Sequence, residues 1–193
     1  MHRIKLEARH IYHIYNRTNG RERLFRQNIN YYYFLKMWKK HINPVADTLC
    51  YCLMPNHFHF IVYIKEVQCL PSKKHFSQPF ANFFNCYAKS YNIMYNRHGN
   101  LFTQNFKRKL IDDEKYLIYL LAYIHLNPVK DGYTNHIQNW KFSSIHEYLT
   151  TKKSWLRKDK IMQNFIDVDD FLRWHELLHQ MMLFRKTNRV LIE

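Results

Sequence analysis

The chain has 193 residues, 47% of them hydrophobic and 17% aromatic, with only three glycines, which suits one domain with a sizeable core and argues against disorder. Thirty Lys and Arg against fifteen Asp and Glu give a net charge of +15, so a polyanionic partner is expected, although a solvated basic surface has the same composition. An N-terminal apolar signal region is missing, and no apolar run approaches the roughly eighteen residues of a membrane span, so a soluble, cytoplasmic protein with no membrane partner is expected.

In chain order, "HIYHIYNRT" (10–18) alternates as a first strand. "NINYYYFLKMWKKHI" follows, with Tyr31, Phe34, Leu35, Trp38 and Ile42 at helical spacing and Asn28 or Asn30 as N-cap. Pro44 and Asp47 mark a turn. "TLCYCLM" (48–54) and "HFHFIVYI" (57–64) are a second and a third strand, joined tightly through Pro55-Asn56 and paired as a hairpin. A polar loop with Pro71 and Pro79 leads to a second helix near 80–97, which Gly99 ends. "FKRKLID" (106–112) is a fourth strand, and 113–126 a third helix that Pro128 terminates. The order β-α-β-β-α-β opens as a split βαβ, ferredoxin-like α+β sandwich: an antiparallel sheet with helices on one face. After Gly132 the pattern is less regular, up to an amphipathic helix near 168–185. We divide the chain into a domain over 1–148 and a basic helical C-terminal extension over 149–193.

Cys50, Cys52, Cys69 and Cys86 form no CxxC pair, and buried thiols are expected rather than a disulfide or zinc site. The cations are dispersed, with Arg17, Arg21, Arg97, Lys107, Arg108 and Lys109 as candidate nucleic-acid contacts. Tyrosines and phenylalanines are interleaved with them. Cations for phosphates and rings for unstacked bases suit a single-stranded nucleic acid.

His57 and His59 fall on one side of a strand, roughly 7 Å apart, a spacing that can hold a metal ion but also fits hydrogen-bonded histidines. On the third helix Leu117, Leu120, Leu121 and Ile124 make the core stripe, and Tyr116, Tyr119 and Tyr123 lie on an adjacent one with Asn127 a turn further on. Tyr87, Tyr91 and Tyr95 make a similar row on the preceding helix, and spacing does not choose between the rows. Two imidazoles and an amide oxygen could hold a divalent cation that polarises a phosphate, with a tyrosine as nucleophile.

"YHIYNR", "YCLMPNHFHFIV", "GNLFTQNFKRKLIDDEKYL" and "AYIHLNPVKDGY" occur in that order, followed by "WKFSSIHEY". Together they resemble the single-tyrosine HUH transposases, and in particular their REP-associated tyrosine transposase branch, over roughly residues 10 to 148. The resemblance implies an HUH-type ferredoxin-like sheet with His57 and His59 as ligands of Mg²⁺ or Mn²⁺. Phe58 fills the hydrophobic middle position of the motif. It implies Tyr123 as the nucleophile and Asn127 as the third ligand, with single-stranded or hairpin DNA cut and rejoined through a 5′-phosphotyrosine. Homodimers and monomers both occur among such proteins. Two other readings stand beside this one: a domesticated hairpin DNA- or RNA-binding protein that no longer cuts, and a metal-dependent nuclease that uses water.

Overall fold

The computed structural model describes residues 4–20, 22–66, 75–103 and 105–190. Its elements are β1 (Ile11–Arg17), α1 (Asn28–Ile42), β2 (Ala46–Met54), β3 (His57–Ile64), α2 (Ser77–Met94), β4 (Lys107–Ile111), α3 (Glu114–Lys130), α4 (Ile145–Tyr148), α5 (Asp159–Met162) and α6 (Val168–Val190). The four strands form an antiparallel sheet in the order β2-β3-β1-β4. This is the expected α+β, split βαβ arrangement.

Alternation sorts the sheet into two faces. Ile14, Phe58 and Phe60 face α1 and α2, where Trp38 stacks on Phe60 at 3.7 Å and Phe34 and Phe84 close on Phe58 at 5.1 and 5.6 Å. The two helices of the split βαβ unit thus share one face, as expected. His13, Tyr15, His57, His59, Cys50 and Cys52 occupy the other face, which α3 covers: the Cys50 thiol meets His125 of α3 at 3.4 Å. Cys50 and Cys52 are buried free thiols and Cys86 is partly buried, while Cys69 lies outside the described residues.

Three sequence expectations are corrected in detail. The N-cap of α1 is Gln27, not Asn28 or Asn30; Asn30 stands at the third helical position, where its Oδ1 accepts from the backbone N–H of Gln27 at 3.0 Å. Strand β2 starts at Ala46, because Asp47 is held in the sheet by ion pairs to Lys65 and Arg157 at 3.0 and 2.9 Å rather than turning outward. Helix α3 does not end before Pro128 but runs through it to Lys130. Proline supplies no N–H for the carbonyl four residues back, and the side chain of Asn127 makes up the loss: its Nδ2 donates to Tyr123 O at 2.9 Å and Ile124 O at 3.4 Å.

The C-terminal segments complete the same core, to which Leu156, Ile161 and Phe171 belong. Residues 142–144 run along the outer edge of β2, with Leu53 N–H donating to Phe142 O at 2.9 Å and Ser144 N–H to Tyr51 O at 2.9 Å. Helix α6 packs on α3 through a buried polar chain. His175 Nδ1 donates to Phe171 O at 2.7 Å, leaving Nε2 to accept from His125 Nδ1 at 2.9 Å, while His125 Nε2 lies 2.7 Å from Ser144 Oγ, whose hydroxyl is also within reach of Tyr51 O at 3.0 Å. All three side chains are buried. Among the described residues no helix is long and apolar enough to cross a membrane.

Candidate metal and nucleophile site

The tight Pro55-Asn56 turn delivers His57 to the start of β3, and alternation turns His57 and His59 to the α3 side. Their ring centroids are 5.2 Å apart and nearly perpendicular. Each ring is anchored through Nδ1. Asn56 Oδ1 lies 2.7 Å from His57 Nδ1, and His13 Nε2 lies 2.9 Å from His59 Nδ1. Because an amide oxygen only accepts, His57 carries its proton on Nδ1 and keeps a lone pair on Nε2. The same holds for His59 in the tautomer that donates to His13. Neither Nε2 has a partner among the described residues.

Electrostatics favour neutral rings. Burial lowers the pKa of His57, with Lys130 and Arg17 adding to the effect and Asp131 opposing it. Burial also holds His59 well below the ordinary value, helped by His13, His57 and Lys130. Neutral imidazole is the metal-binding form, and a second nitrogen fixed by an outer partner is how ligating histidines are usually oriented. The donor set therefore fits a divalent cation. Histidine does not by itself select magnesium, so Mn²⁺ fits as well as Mg²⁺.

Asn127 is buried, and its nitrogen end is tied to the helix carbonyls. Its Oδ1 has no partner among the described residues, so an oxygen ligand is available at the C-terminal end of α3. Lys130 and Asp131, from that same end, are the α3 charges that act on His57. Tyr123 lies one turn before Asn127, half-buried, with its hydroxyl accepting from Lys130 Nζ at 2.8 Å. Tyr116, Tyr119 and Tyr123 form a ladder with ring centroids 6.5 and 6.3 Å apart and planes within 22° of parallel.

The two tyrosine rows that spacing left equivalent lie in different surroundings. On α2, against the opposite face of the sheet, the hydroxyls of Tyr87 and Tyr91 donate to the backbone oxygens of Leu24 and Arg23, and that of Tyr95 to Asn30 Oδ1. Those phenols are committed to the fold. The α3 row lies on the histidine face.

The candidate DNA contacts also separate. Arg17 and Lys107 line the cleft that holds His57 and His59, together with Tyr15 and Thr103. Lys109 reaches the Tyr116 hydroxyl at 3.0 Å on the same face. Arg108 points to the other face, its guanidinium 4.8 Å from the Phe106 ring centroid. Arg97 is engaged by Glu22, Asn92, Gly99 and Asn100 and holds the α2–β4 connection. Arg21 lies outside the described residues.

Two neighbours of the site went unassigned in the sequence. His13 falls on the histidine face by simple alternation once β1 is paired with β3, and Lys130 follows Tyr123 by two helical turns. The first needed the strand pairing, and the second needed a helix that survives Pro128.

No family model matches the chain. A protein of Haemophilus influenzae, provisionally named a REP-associated tyrosine transposase, is 28% identical over 106 residues, which is 52% of this chain. The match spans 59% of that relative's length. A solved structure of a REP-associated tyrosine transposase bound to a REP hairpin superposes with a TM-score of 0.63 at 19% identity, covering 77% of this chain and 84% of that one. Both comparisons return the group that the sequence motifs resemble, and the second shows the shared fold.

Proposed function

We propose that the chain is a metal-dependent single-stranded DNA transposase, which cleaves and rejoins DNA at hairpin-forming repeats through a 5′-phosphotyrosine on Tyr123. The observation that carries this reading is the state of the two histidines: Nδ1 anchored and Nε2 without a partner among the described residues, on the face that α3 covers with Tyr123 and Asn127. The likeness to a provisionally named transposase and to the fold of a hairpin-bound one supports it.

In this reading His57 and His59 offer Nε2 and Asn127 offers Oδ1 to Mg²⁺ or Mn²⁺. A bound divalent cation would supply Lewis-acid polarisation of the scissile phosphate. The chain's own contribution is to hold the Tyr123 hydroxyl for in-line attack and to bring phosphates in with Arg17, Lys107 and Lys109. Attack by Tyr123 Oη leaves a phosphotyrosine and a free 3′ hydroxyl, conserving the bond energy for rejoining.

The test is a denaturing gel of protein incubated with a hairpin oligonucleotide bearing single-stranded flanks, taken from DNA beside its own gene. Wild type with Mg²⁺ or Mn²⁺ should form a covalent adduct that EDTA prevents. Tyr123→Phe should bind the hairpin and form none. Cleavage without an adduct would assign the attack to water, and hairpin binding without cleavage by the wild type would leave a binding protein.

A further inference from the structure

The passage of α3 through Pro128 has a chemical result. Because the helix continues for one more half-turn, Lys130 returns to the flank that carries Tyr123, seven residues earlier. Its Nζ lies 2.8 Å from Tyr123 Oη and 4.9 Å from the centroid of that ring. The hydrogen bond to Tyr123 raises the Lys130 pKa, against a smaller opposing effect of burial, so the group stays an ammonium. Lys130 is also among the charges that act on both His57 and His59. Among the described residues no carboxylate forms an ion pair with it. An ammonium has three N–H donors, and one of these is taken by the phenol.

We propose that Lys130 is a catalytic residue: its ammonium holds a non-bridging oxygen of the scissile phosphate beside the Tyr123 hydroxyl. This rests on the transposase reading above. In the step, Tyr123 Oη forms a bond to phosphorus while the bond from phosphorus to the 3′ oxygen breaks. The electron pair leaves on the 3′ oxygen, which takes a proton from solvent, and the phenolic proton passes to solvent. Lys130 keeps its proton throughout. It acts as a fixed positive charge where negative charge accumulates on the phosphoryl oxygens, the position in which such a donor is most effective. In the resting protein the same ammonium holds the phenol oxygen, so arrival of a phosphate adds a partner rather than requiring a new side-chain position.

The experiment measures single-turnover cleavage and, separately, binding of the same flanked hairpin oligonucleotide by the full chain with Mg²⁺. Lys130→Ala should slow cleavage by about 10²–10³-fold, the usual loss for one such donor, while binding weakens only a few-fold and Tm is unchanged. Lys130→Arg should recover part of the rate. Substituting sulfur for one non-bridging oxygen of the scissile phosphate should slow the wild type in one diastereomer and have little further effect in Lys130→Ala. Cleavage by Lys130→Ala at close to the wild-type rate would overturn the proposal. So would a loss that keeps the full sulfur effect or follows a fall in Tm. A wild type that does not cleave would instead overturn the transposase reading, and Lys130's role with it, so the wild-type control separates the two failures.

Discussion

Asn127 works at both ends of its amide. The nitrogen closes the gap in α3 by donating to Tyr123 O and Ile124 O, and this orientation turns the oxygen away from its own helix. Fold maintenance and metal ligation are therefore compatible in one side chain, and substitutions should separate them. Asn127→Ala removes both ends. It should lower stability by about 1–3 kcal/mol through the Ile124 carbonyl, which Pro128 leaves without a backbone donor, and raise the metal concentration needed for cleavage. Asn127→Asp keeps an oxygen but sets a carboxylate against two carbonyls at a helix C-terminus, where negative charge is disfavoured. Its Tm should fall below that of the alanine variant while its metal midpoint lies nearer the wild type. Thermal melts and a Mn²⁺ titration read the two effects apart, and an unshifted midpoint in the alanine variant would remove Asn127 from the proposed ligand set.

His13 is the other residue with an indirect part. It is stacked on Tyr15 at 4.5 Å and anchors His59 Nδ1, and burial pushes its own pKa down to about 4, so it meets His59 as a neutral ring. His13→Phe retains the stacking and deletes the anchor. Metal affinity should fall by about 10–100-fold, the usual effect of losing an outer partner. Mn²⁺ binding followed by electron paramagnetic resonance checks this without reference to cleavage.

At the level of elements, α3 presents a polar flank on which tyrosines and cations alternate in space. Lys109 Nζ lies 4.2 Å from the Tyr116 ring centroid and Lys130 flanks Tyr123, while Tyr119 stands exposed between them. Such a surface offers rings to unstacked bases and ammonium groups to the phosphates beside them. Tyr119→Ala should weaken binding of a hairpin with single-stranded flanks by about tenfold, within the range for one base–ring stack, and leave a blunt hairpin unaffected. Tyr119→Phe should bind like the wild type. Flanked hairpins should also be preferred over plain duplex, with affinity falling steeply as salt rises. Fluorescence anisotropy across a salt series measures all of these, and equal losses on both hairpins would remove Tyr119 from the strand's path.

The same helix shows where sequence rules hold and where they fail. The bounds expected for α1 and β3 coincide with those observed, because dense apolar repeats of helical and alternating period leave little freedom. The proline rule ends α3 too early because it counts backbone donors alone, and here a side chain replaces one. The histidine pair was legible from alternation, which depends only on strand geometry. Choosing between the two tyrosine rows was not, since both have the same spacing. What separates them is the sheet face against which each helix packs, and this depends on chain crossing rather than local pattern.

On the scale of the molecule, the buried chain from Ser144 through His125 and His175 to Phe171 O joins α3 and α6 to the connection beside β2. Protonating His175 places two N–H groups face to face in its hydrogen bond with His125, and protonating His125 leaves a charge buried beside His175 and His146. Burial pushes His175 down to about 4 from an ordinary 6.5 and lowers His125 well below it. The unfolded chain therefore binds these protons first. The stabilisation is complete above about pH 6.5 and declines as pH falls toward 4, by up to about 1.4 kcal/mol per pH unit for each histidine. Urea unfolding at pH 7 and pH 5 should show the wild type losing a few kcal/mol. His175→Leu should be less stable at pH 7 but show a shallower decline. An equal decline in both proteins would place the acid sensitivity elsewhere.

The strip of residues 142–144 along β2 bears on how the chain is made. During synthesis β2 emerges and pairs with β3 long before Phe142 and Ser144 leave the ribosome. At the usual ~5–20 residues per second, its outer row of amide and carbonyl groups stands open for several seconds. An open strand edge is a template for any other extended chain. The nascent protein should be most vulnerable to intermolecular pairing in that interval, and chaperone capture should peak on ribosome-bound chains that end between β3 and Phe142. Chains stopped just short of "WKFSS" should be insoluble, although every strand of the sheet is already present in them.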